Sequence, residues 1–187
     1  MLKKIRFHLF KWFSPYMVGR FKRYDGKVLP NTRISNTTYI DTPSKLDIDN
    51  NVFIGHFNFI DASNSLTIRE GVQITNYVSV LTHSSHIAIR LYGKEYTKIK
   101  DKQAYSKGSV YIGAYSFIGP HTVIMPGTKI GKGCLVSAFS YVKGEFPDFS
   151  IIAGNPAIVV GDTRELDQPY LDSNPELKDY YNVWANK

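Results

Sequence analysis

The sequence contains a single cysteine, Cys134, which excludes an intrachain disulfide. A chain of 187 residues without disulfides fits a reducing compartment, and we expect a cytoplasmic protein of one domain with short flanking elements. Cys134 lies two residues before the aliphatic residue Val136. We interpret its thiol as structural rather than nucleophilic.

Residues 1–23 lack the uninterrupted apolar stretch that a signal peptide or a membrane-spanning helix requires. Lysines and arginines interrupt this segment every few residues, between aromatic and aliphatic side chains such as Phe10 and Trp12. A basic amphipathic helix of this kind could contact an anionic membrane surface peripherally. We favour the alternative, in which residues 1–26 form a helical cap on the domain that follows.

No zinc-finger, RNA-recognition or homeodomain pattern accompanies the net charge of +7, so nucleic acid is not expected as a partner. The composition, 43% hydrophobic and 21% charged, is ordinary for a folded globular protein. The excess positive charge predicts attraction to anions, such as the phosphates of a nucleotide, an acidic glycan or a membrane surface.

The chain does contain a six-residue period of aliphatic residues, and the period appears twice. The first ladder is Ile48, Ile54, Ile60, Leu66, Val72 and Val78, and the second is Ile112, Ile118, Ile124, Ile130, Val136 and Val142. A helix face repeats every three or four residues and a half-buried strand every two, so neither explains the spacing. Short strands joined by tight corners do explain it, as in a hexapeptide-repeat β-helix. We predict this solenoid over residues 27–160, followed by a C-terminal tail at 161–187.

The two ladders are out of phase, because Val78 and Ile112 are 34 residues apart and this is not a multiple of six. The break predicts an extruded loop at about residues 81–107, rich in basic and aromatic side chains. It opens with Thr82-His83-Ser84-Ser85-His86. A long loop inside a regular array is usually functional.

Further landmarks follow the loop in a fixed order. They are Val110-Tyr111-Ile112-Gly113, VIMPGTKIG at 123–131, SAFSYVK at 137–143 and AGNPA at 153–157. Together with the preceding His83-x-x-His86, this order resembles the hexapeptide-repeat O-acetyltransferases, in particular the galactoside, maltose and surface-polysaccharide enzymes. The resemblance covers roughly residues 48–160. It implies an all-β fold, a left-handed parallel β-helix that assembles as a homotrimer and uses acetyl-CoA as acyl donor, with no metal.

The resemblance also implies roles for individual side chains. His83 would be the general base, since a neutral imidazole can take the proton of an acceptor hydroxyl as that oxygen attacks the thioester. His86 would contact the acceptor or orient the site. Asn58 and Asp61 are candidate acceptor contacts or an orienting group for a histidine, with simple corner hydrogen bonding as the alternative. Tyr111 stands where many relatives have tryptophan and would form an aromatic wall of the acceptor site.

Coenzyme A would lie in a narrow groove between coils of adjacent subunits. Ala114, Ser137 and Ala138 match positions at which the family needs small residues so that pantetheine can approach the backbone. Lys143 or Arg164 would meet the CoA phosphates, because a cationic side chain pairs well with phosphate.

Two other readings stay open at this point. A γ-type carbonic anhydrase would need three histidines on zinc, and His83, His86 and His121 supply enough rings without that family's spacing. An inactive binding or structural solenoid is the non-enzymatic alternative. We favour an O-acetyltransferase acting on a sugar or glycan hydroxyl, of a bacterial surface polysaccharide or its precursor.

Overall fold

A computed structural model describes residues 14–186, and short strands dominate it. The strands are β1 (Met17–Lys22), β2 (Val28–Ser35), β3 (Tyr39–Asp41), β4 (Leu46–Ile48), β5 (Phe53–Ile54), β6 (Phe59–Asp61), β7 (Leu66–Ile68), β8 (Gln73–Ile74), β9 (Ser79–Val80), β10 (His83–Ser84), β11 (Ser106–Lys107), β12 (Val110–Ile112), β13 (Phe117–Ile118), β14 (Val123–Ile124), β15 (Lys129–Ile130), β16 (Leu135–Val136), β17 (Tyr141–Val142), β18 (Glu145–Phe146), β19 (Ser150–Gly154) and β20 (Ala157–Asp162). The helices are α1 (Ala88–Tyr92), α2 (Thr163–Ser173) and α3 (Leu177–Ala185), and 3-10 turns lie at Pro43–Lys45 and Gly93–Glu95.

The strands stack into three sheets that form the sides of a triangular solenoid. Sheet A has the order β1-β2-β5-β8-β13-β16-β19-β20, sheet B β17-β14-β9-β6-β3, and sheet C β18-β15-β12-β7-β4. From β2 onward the chain passes from A to B to C and back to A, and neighbouring coils pair in parallel. We name the turns between sheets the AB, BC and CA corners. The predicted left-handed parallel β-helix is confirmed.

The core consists of the aliphatic ladders, whose twelve members are all fully buried. The register between coils changes at more than one place, and it falls to 16 residues between Leu135 and Ile151 at the C-terminal end. Ile112 pairs with Ile130, a repeat of 18 residues, whereas Ile48 pairs with Ile68, a repeat of 20. The two additional residues lie in the BC corner between β6 and β7. The phase break therefore has two sources, this enlarged corner and the extruded loop.

Glycine after an inward-facing residue permits close approach of neighbouring coils. A Cβ atom on Gly113 would lie 2.4 Å from the carbonyl carbon of Gly131, and one on Gly119 would lie 2.6 Å from the backbone nitrogen of Ala138. Real Cβ atoms do not come this close to backbone, so the coil spacing requires glycine at both places.

In the described part of the predicted cap, residues 14–26, the chain forms a strand and not a helix. Residues 1–13, the first part of the segment 1–23 for which peripheral membrane contact was considered, lie outside the described residues. Within the described part, Met17–Lys22 is a strand that pairs antiparallel with β2, with a bulge near Arg20. The reason is that the first coil exposes an open sheet edge, and a paired strand satisfies its backbone groups. Among residues 14–186, no helix has both the length and the hydropathy to cross a bilayer.

The predicted C-terminal tail forms two helices, α2 and α3. Asp162 caps α2 by accepting from the backbone N–H of Arg164. Helix α3 returns to the CA corner, where the Trp184 ring lies 4.7 Å from that of Tyr115 and 5.9 Å from that of Phe149. The tail is thus packed against the solenoid through aromatic contacts.

A column of stacked rings runs along the AB corner. Phe57, Tyr77, His121 and Phe139 occupy successive coils, each with a left-handed backbone conformation. Their ring centroids are 5.3, 4.9 and 4.7 Å apart. His121 is a member of this column and stands at a different corner from His83.

Candidate active site

The extruded loop leaves the solenoid and returns to it at the same point of the BC corner. Strand β10 pairs antiparallel with β11, so that His83 lies opposite Lys107. The backbone N–H of Gly108 donates to the carbonyl of Thr82 at 3.0 Å, which closes the base of the loop. This small sheet holds His83 at the junction of loop and solenoid.

His83 forms a close pair with Asp61, the last residue of β6 in the preceding coil. The distance from His83 Nδ1 to Asp61 Oδ2 is 2.8 Å. Nδ1 also lies 3.2 Å from the Ser63 hydroxyl. A proton on Nδ1 faces the Asp61 carboxylate, which only accepts hydrogen bonds, and in that tautomer Nε2 keeps its lone pair. The His83 side chain is 37% exposed. Nε2 is therefore the nitrogen available to take a proton.

The enlarged corner keeps Asp61 charged although its side chain is fully buried. Burial raises the pKa of this carboxyl, but hydrogen bonds from Ser63 and Thr82 outweigh it and lower the pKa from 3.8 to about 2. The Ser63 N–H donates to Oδ1 at 2.8 Å. The Thr82 N–H and hydroxyl donate to Oδ2 at 2.8 and 2.9 Å. A carboxylate with so many donors stays negative at neutral pH.

The far end of the loop covers His83. The Tyr105 ring stacks on the imidazole with centroids 5.8 Å apart and planes 11° from parallel. The Nζ of Lys107 lies 5.6 Å from the Tyr105 centroid. Burial raises the pKa of the Tyr105 phenol, so it is neutral at physiological pH. Sequence reasoning did not name Tyr105, Lys107 or Ser63 as site residues, and the only signal for the first two was the basic, aromatic composition of the loop.

His86 lies three residues further along the loop and is exposed. Its Nδ1 is 2.8 Å from the Ser84 hydroxyl, and its carbonyl accepts from Arg90. The structure thus positions His86 at the start of the loop, and its catalytic role stays a prediction.

Two of the predicted acceptor contacts, Asn58 and Asp61, form hydrogen bonds inside the solenoid. The buried Asn58 amide donates to the carbonyls of Gly55 and Thr75 at 3.0 and 2.8 Å and accepts from the N–H of Val78 at 2.7 Å. The alternative of corner hydrogen bonding therefore describes Asn58 better than contact with an acceptor. For Asp61, complete burial favours the orienting role that the sequence also suggested.

The third predicted acceptor contact, Tyr111, lies on sheet C and lines a cleft of about 540 Å³ at the CA corner. Ala114 and Trp184 line the same cleft. The guanidinium of Arg69 lies 5.8 Å from the Tyr111 ring centroid. In the described part of the chain, His83 is not among the residues that line this cleft.

The predicted coenzyme A residues are distributed over the corners rather than gathered together. Ala114 is at the CA corner, Ser137 and Ala138 are at the AB corner, and the exposed Lys143 is at the BC corner, two coils beyond His83. Arg164 is already engaged, because its guanidinium forms hydrogen bonds with the Asp162 carboxylate and lies 4.9 Å from the Phe149 ring. A phosphate would have to compete with this ion pair.

The three histidines of the carbonic anhydrase alternative are not brought together within one chain. His83 and His86 are at the BC corner, and His121 is in the ring column of the AB corner. Within residues 14–186 there is no group of three or more histidine, cysteine or carboxylate side chains arranged to hold a metal ion.

Comparison with known proteins identifies the repeat. Residues 109–144 match the family model of the bacterial transferase hexapeptide (six repeats). The chain is 39% identical over 64 residues to a putative acetyltransferase, YvoF, of Bacillus subtilis. It is 37% identical over 60 residues to a putative lipopolysaccharide biosynthesis O-acetyl transferase, WbbJ, of Escherichia coli. These matches cover 34% and 32% of this chain. The chain spans only 37% and 31% of the two relatives.

Solved structures with a similar fold include a maltose O-acetyltransferase from Clostridium difficile, at 22% identity and a TM-score of 0.59 over 68% of this chain and 64% of that one. They also include a variant of AntD, an N-acyltransferase from Bacillus cereus in complex with dTDP and coenzyme A, at 25% identity and a TM-score of 0.53. That likeness covers 76% of this chain and 89% of the other. The repeat, the relatives and the solenoid confirm the predicted resemblance: residues 109–144 contain the hexapeptide repeat, and the chain is similar to acetyltransferases.

Proposed function

We propose that this protein is an O-acetyltransferase that transfers the acetyl group of acetyl-CoA to a sugar hydroxyl. The observation that carries the proposal is the Asp61–His83 pair, with 2.8 Å between carboxylate and Nδ1. His83 Nε2 removes the hydroxyl proton as the oxygen attacks the thioester carbonyl carbon. The bond from that carbon to sulfur then breaks, and the imidazolium returns the proton to the departing thiolate. Asp61 holds the ring in the required tautomer throughout.

The choice of substrates is supported by the comparisons. A relative is named for O-acetyl transfer in lipopolysaccharide biosynthesis, and a solved acyltransferase of similar fold was crystallised with coenzyme A. We therefore propose acetyl-CoA as donor and a sugar of a surface polysaccharide or its precursor as acceptor. The basic side chains of the chain are consistent with substrates that carry phosphate.

We further propose that the complete site forms between copies of the chain in a homotrimer. The corners of a triangular solenoid point in different directions, so one chain cannot fold His83, Ala114 and Ala138 around a single ligand. Symmetric assembly would bring unlike corners of adjacent copies together. Sedimentation equilibrium tests this proposal directly, and a monomer that retains full activity would contradict it.

The experiment for the activity is a screen of acetyl-CoA consumption with a panel of sugars, amino sugars and glycans. We expect His83→Gln to reduce kcat by about 10²-fold or more, which is the usual contribution of a general base. The control is Tyr24→Phe, a conservative change of an exposed side chain in the turn between β1 and β2, which should keep wild-type kcat.

Full turnover by His83→Gln would refute the mechanism. If the wild-type protein turned over none of these acceptors, the binding or structural solenoid would be the better reading. Amino sugars belong in the panel because AntD is an N-acyltransferase. Transfer confined to amines would replace the hydroxyl acceptor by an amino group.

A further inference from the structure

The extruded loop contains a second cleft, of about 480 Å³, beside the catalytic histidine. The lining residues are Tyr96, Lys100, Asp101, Lys102, Gln103, Tyr105 and Lys107. Three of these seven residues are lysines and one is an aspartate. The composition differs from that of the aromatic cleft at the CA corner, which Trp184 and Tyr111 line.

The loop that forms this cleft is one of two strongly basic segments of the chain; the other, residues 1–23, contains seven lysines and arginines and no acidic residue. Residues 90–107 contain six lysines and arginines against two acidic residues, a net charge of +4 within a chain whose total is +7. The acidic residue Glu95 forms an ion pair with Lys98 at 2.8 Å, and Lys98 lies outside the cleft.

In the part of the chain that the structure describes, none of the three lysines of the cleft forms an ion pair. Lys102 Nζ donates to the carbonyl of Ile99 and lies 4.5 Å from the Tyr96 ring centroid. Ammonium groups that have no carboxylate partner around a concave surface attract an anion.

The cleft adjoins the base directly. Tyr105 belongs to both, since its ring lines the cleft and stacks on the imidazole of His83. Lys107 also belongs to the cleft and lies opposite His83 in the β10–β11 pair. An anion held by the lysines is therefore one aromatic ring away from the nitrogen that takes the proton.

We propose that this cleft binds an anionic group of the acceptor, a phosphate or carboxylate attached to the sugar whose hydroxyl is acetylated. The proposal rests on the proposed function and narrows its acceptor from sugars in general to acidic sugars. Lysine suits this role, because its ammonium acts as a compact point charge toward phosphate and carboxylate alike. Binding the anion fixes the sugar at a set distance from His83, so affinity and orientation arise together.

The test compares the double variant Lys100→Gln/Lys102→Gln with Lys94→Gln/Lys98→Gln. The control removes the same charge from the same loop outside the cleft. We expect the first variant to raise KM for an acidic acceptor about tenfold and to leave KM for acetyl-CoA unchanged. For the control we expect a change of less than about twofold, because exposed charges away from a site contribute little. KM is measured for three acceptors: a sugar phosphate, a uronic acid and the parent neutral sugar.

Several results would overturn the proposal: an equal rise in KM for the neutral sugar, a rise in KM for acetyl-CoA instead, or equal effects of the two double variants. The comparison of the sugar phosphate with the uronic acid identifies which anion is recognised. If no acceptor is acetylated, calorimetric binding of glucose 1-phosphate, with glucose and inorganic phosphate as comparisons, still tests the cleft. Binding of glucose 1-phosphate that only the cleft variant weakens would support the site even if the proposed activity failed, and no binding would refute it.

Discussion

Replacing Asp61 by asparagine preserves the shape of the side chain and removes the charge beside His83. Three hydrogen-bond donors point at the two carboxylate oxygens, namely the N–H groups of Ser63 and Thr82 and the Thr82 hydroxyl, and Nδ1 of His83 lies 2.8 Å from Oδ2. An amide offers only one oxygen, and its NH₂ must face at least one of these donors. Asp61→Asn therefore breaks the corner network in whichever orientation the amide adopts.

The magnitude follows from the pKa of Asp61, which the folded protein lowers from 3.8 to about 2. This displacement corresponds to about 2.5 kcal/mol of stabilisation of the charged form, and an unsatisfied buried donor costs a further 1–3 kcal/mol or so. We expect Asp61→Asn to lower the free energy of unfolding by about 3 kcal/mol. We also expect kcat to fall by about 10²–10⁴-fold, because the amide NH₂ favours the tautomer in which Nε2 carries the proton.

The assay is steady-state acetyl transfer with urea unfolding of the same samples. The matched control is Asp41→Asn, since Asp41 pairs in register with Asp61 one coil earlier and its carboxylate accepts from the Thr42 hydroxyl at 3.2 Å. A folded Asp61→Asn protein that kept kcat within about threefold of wild type would refute the orienting role.

The same network predicts how stability depends on acid. The folded pKa of Asp61 lies below the unfolded value, so its contribution is present above pH 3.8 and is lost as the pH falls toward about 2. Unfolding midpoints measured over this range should fall more steeply for wild type than for Asp61→Asn. Parallel curves would contradict the assignment of a charged, hydrogen-bonded Asp61.

Two further predictions concern the scaffold. Burial raises the pKa of Cys134 to about 11. Iodoacetamide should therefore label the native thiol only as fast as the protein unfolds, as followed by mass spectrometry. Rapid labelling in native buffer would contradict this prediction. Gly113→Ala should lower the free energy of urea unfolding by about 2 kcal/mol, because its Cβ would lie 2.4 Å from Gly131. Gly19→Ala is the control, since nothing lies within 4 Å of the added carbon, and equal losses would refute the close-approach argument.

The solenoid could be predicted from the sequence because the six-residue period expresses its geometry directly. The enlarged corner could not be predicted. Leu66 follows Ile60 at the usual six residues, although the residue that pairs with Ile48 in the next coil is Ile68. For the same reason the sequence indicated Asp61 without identifying the hydrogen bonds that hold it.

The contacts made by the loop could be predicted from the sequence only in part. His83 was predictable from its position at the break in the repeat. Tyr105 and Lys107 were not, because their approach to His83 depends on the antiparallel pairing of β10 with β11. The corner of each predicted coenzyme A residue likewise depends on counting coils through the break, which requires the register that only the fold supplies.

The closed base of the loop has a consequence for the evolution of related chains. Thr82 and Gly108 meet through a backbone hydrogen bond, and β12 then pairs with β7 residue for residue, Val110 beside Leu66. The core is therefore insensitive to how many residues intervene. Related chains can therefore differ in the length and composition of the residues beyond the β10–β11 pair, 85–105, while the solenoid and the Asp61–His83 pair remain unchanged.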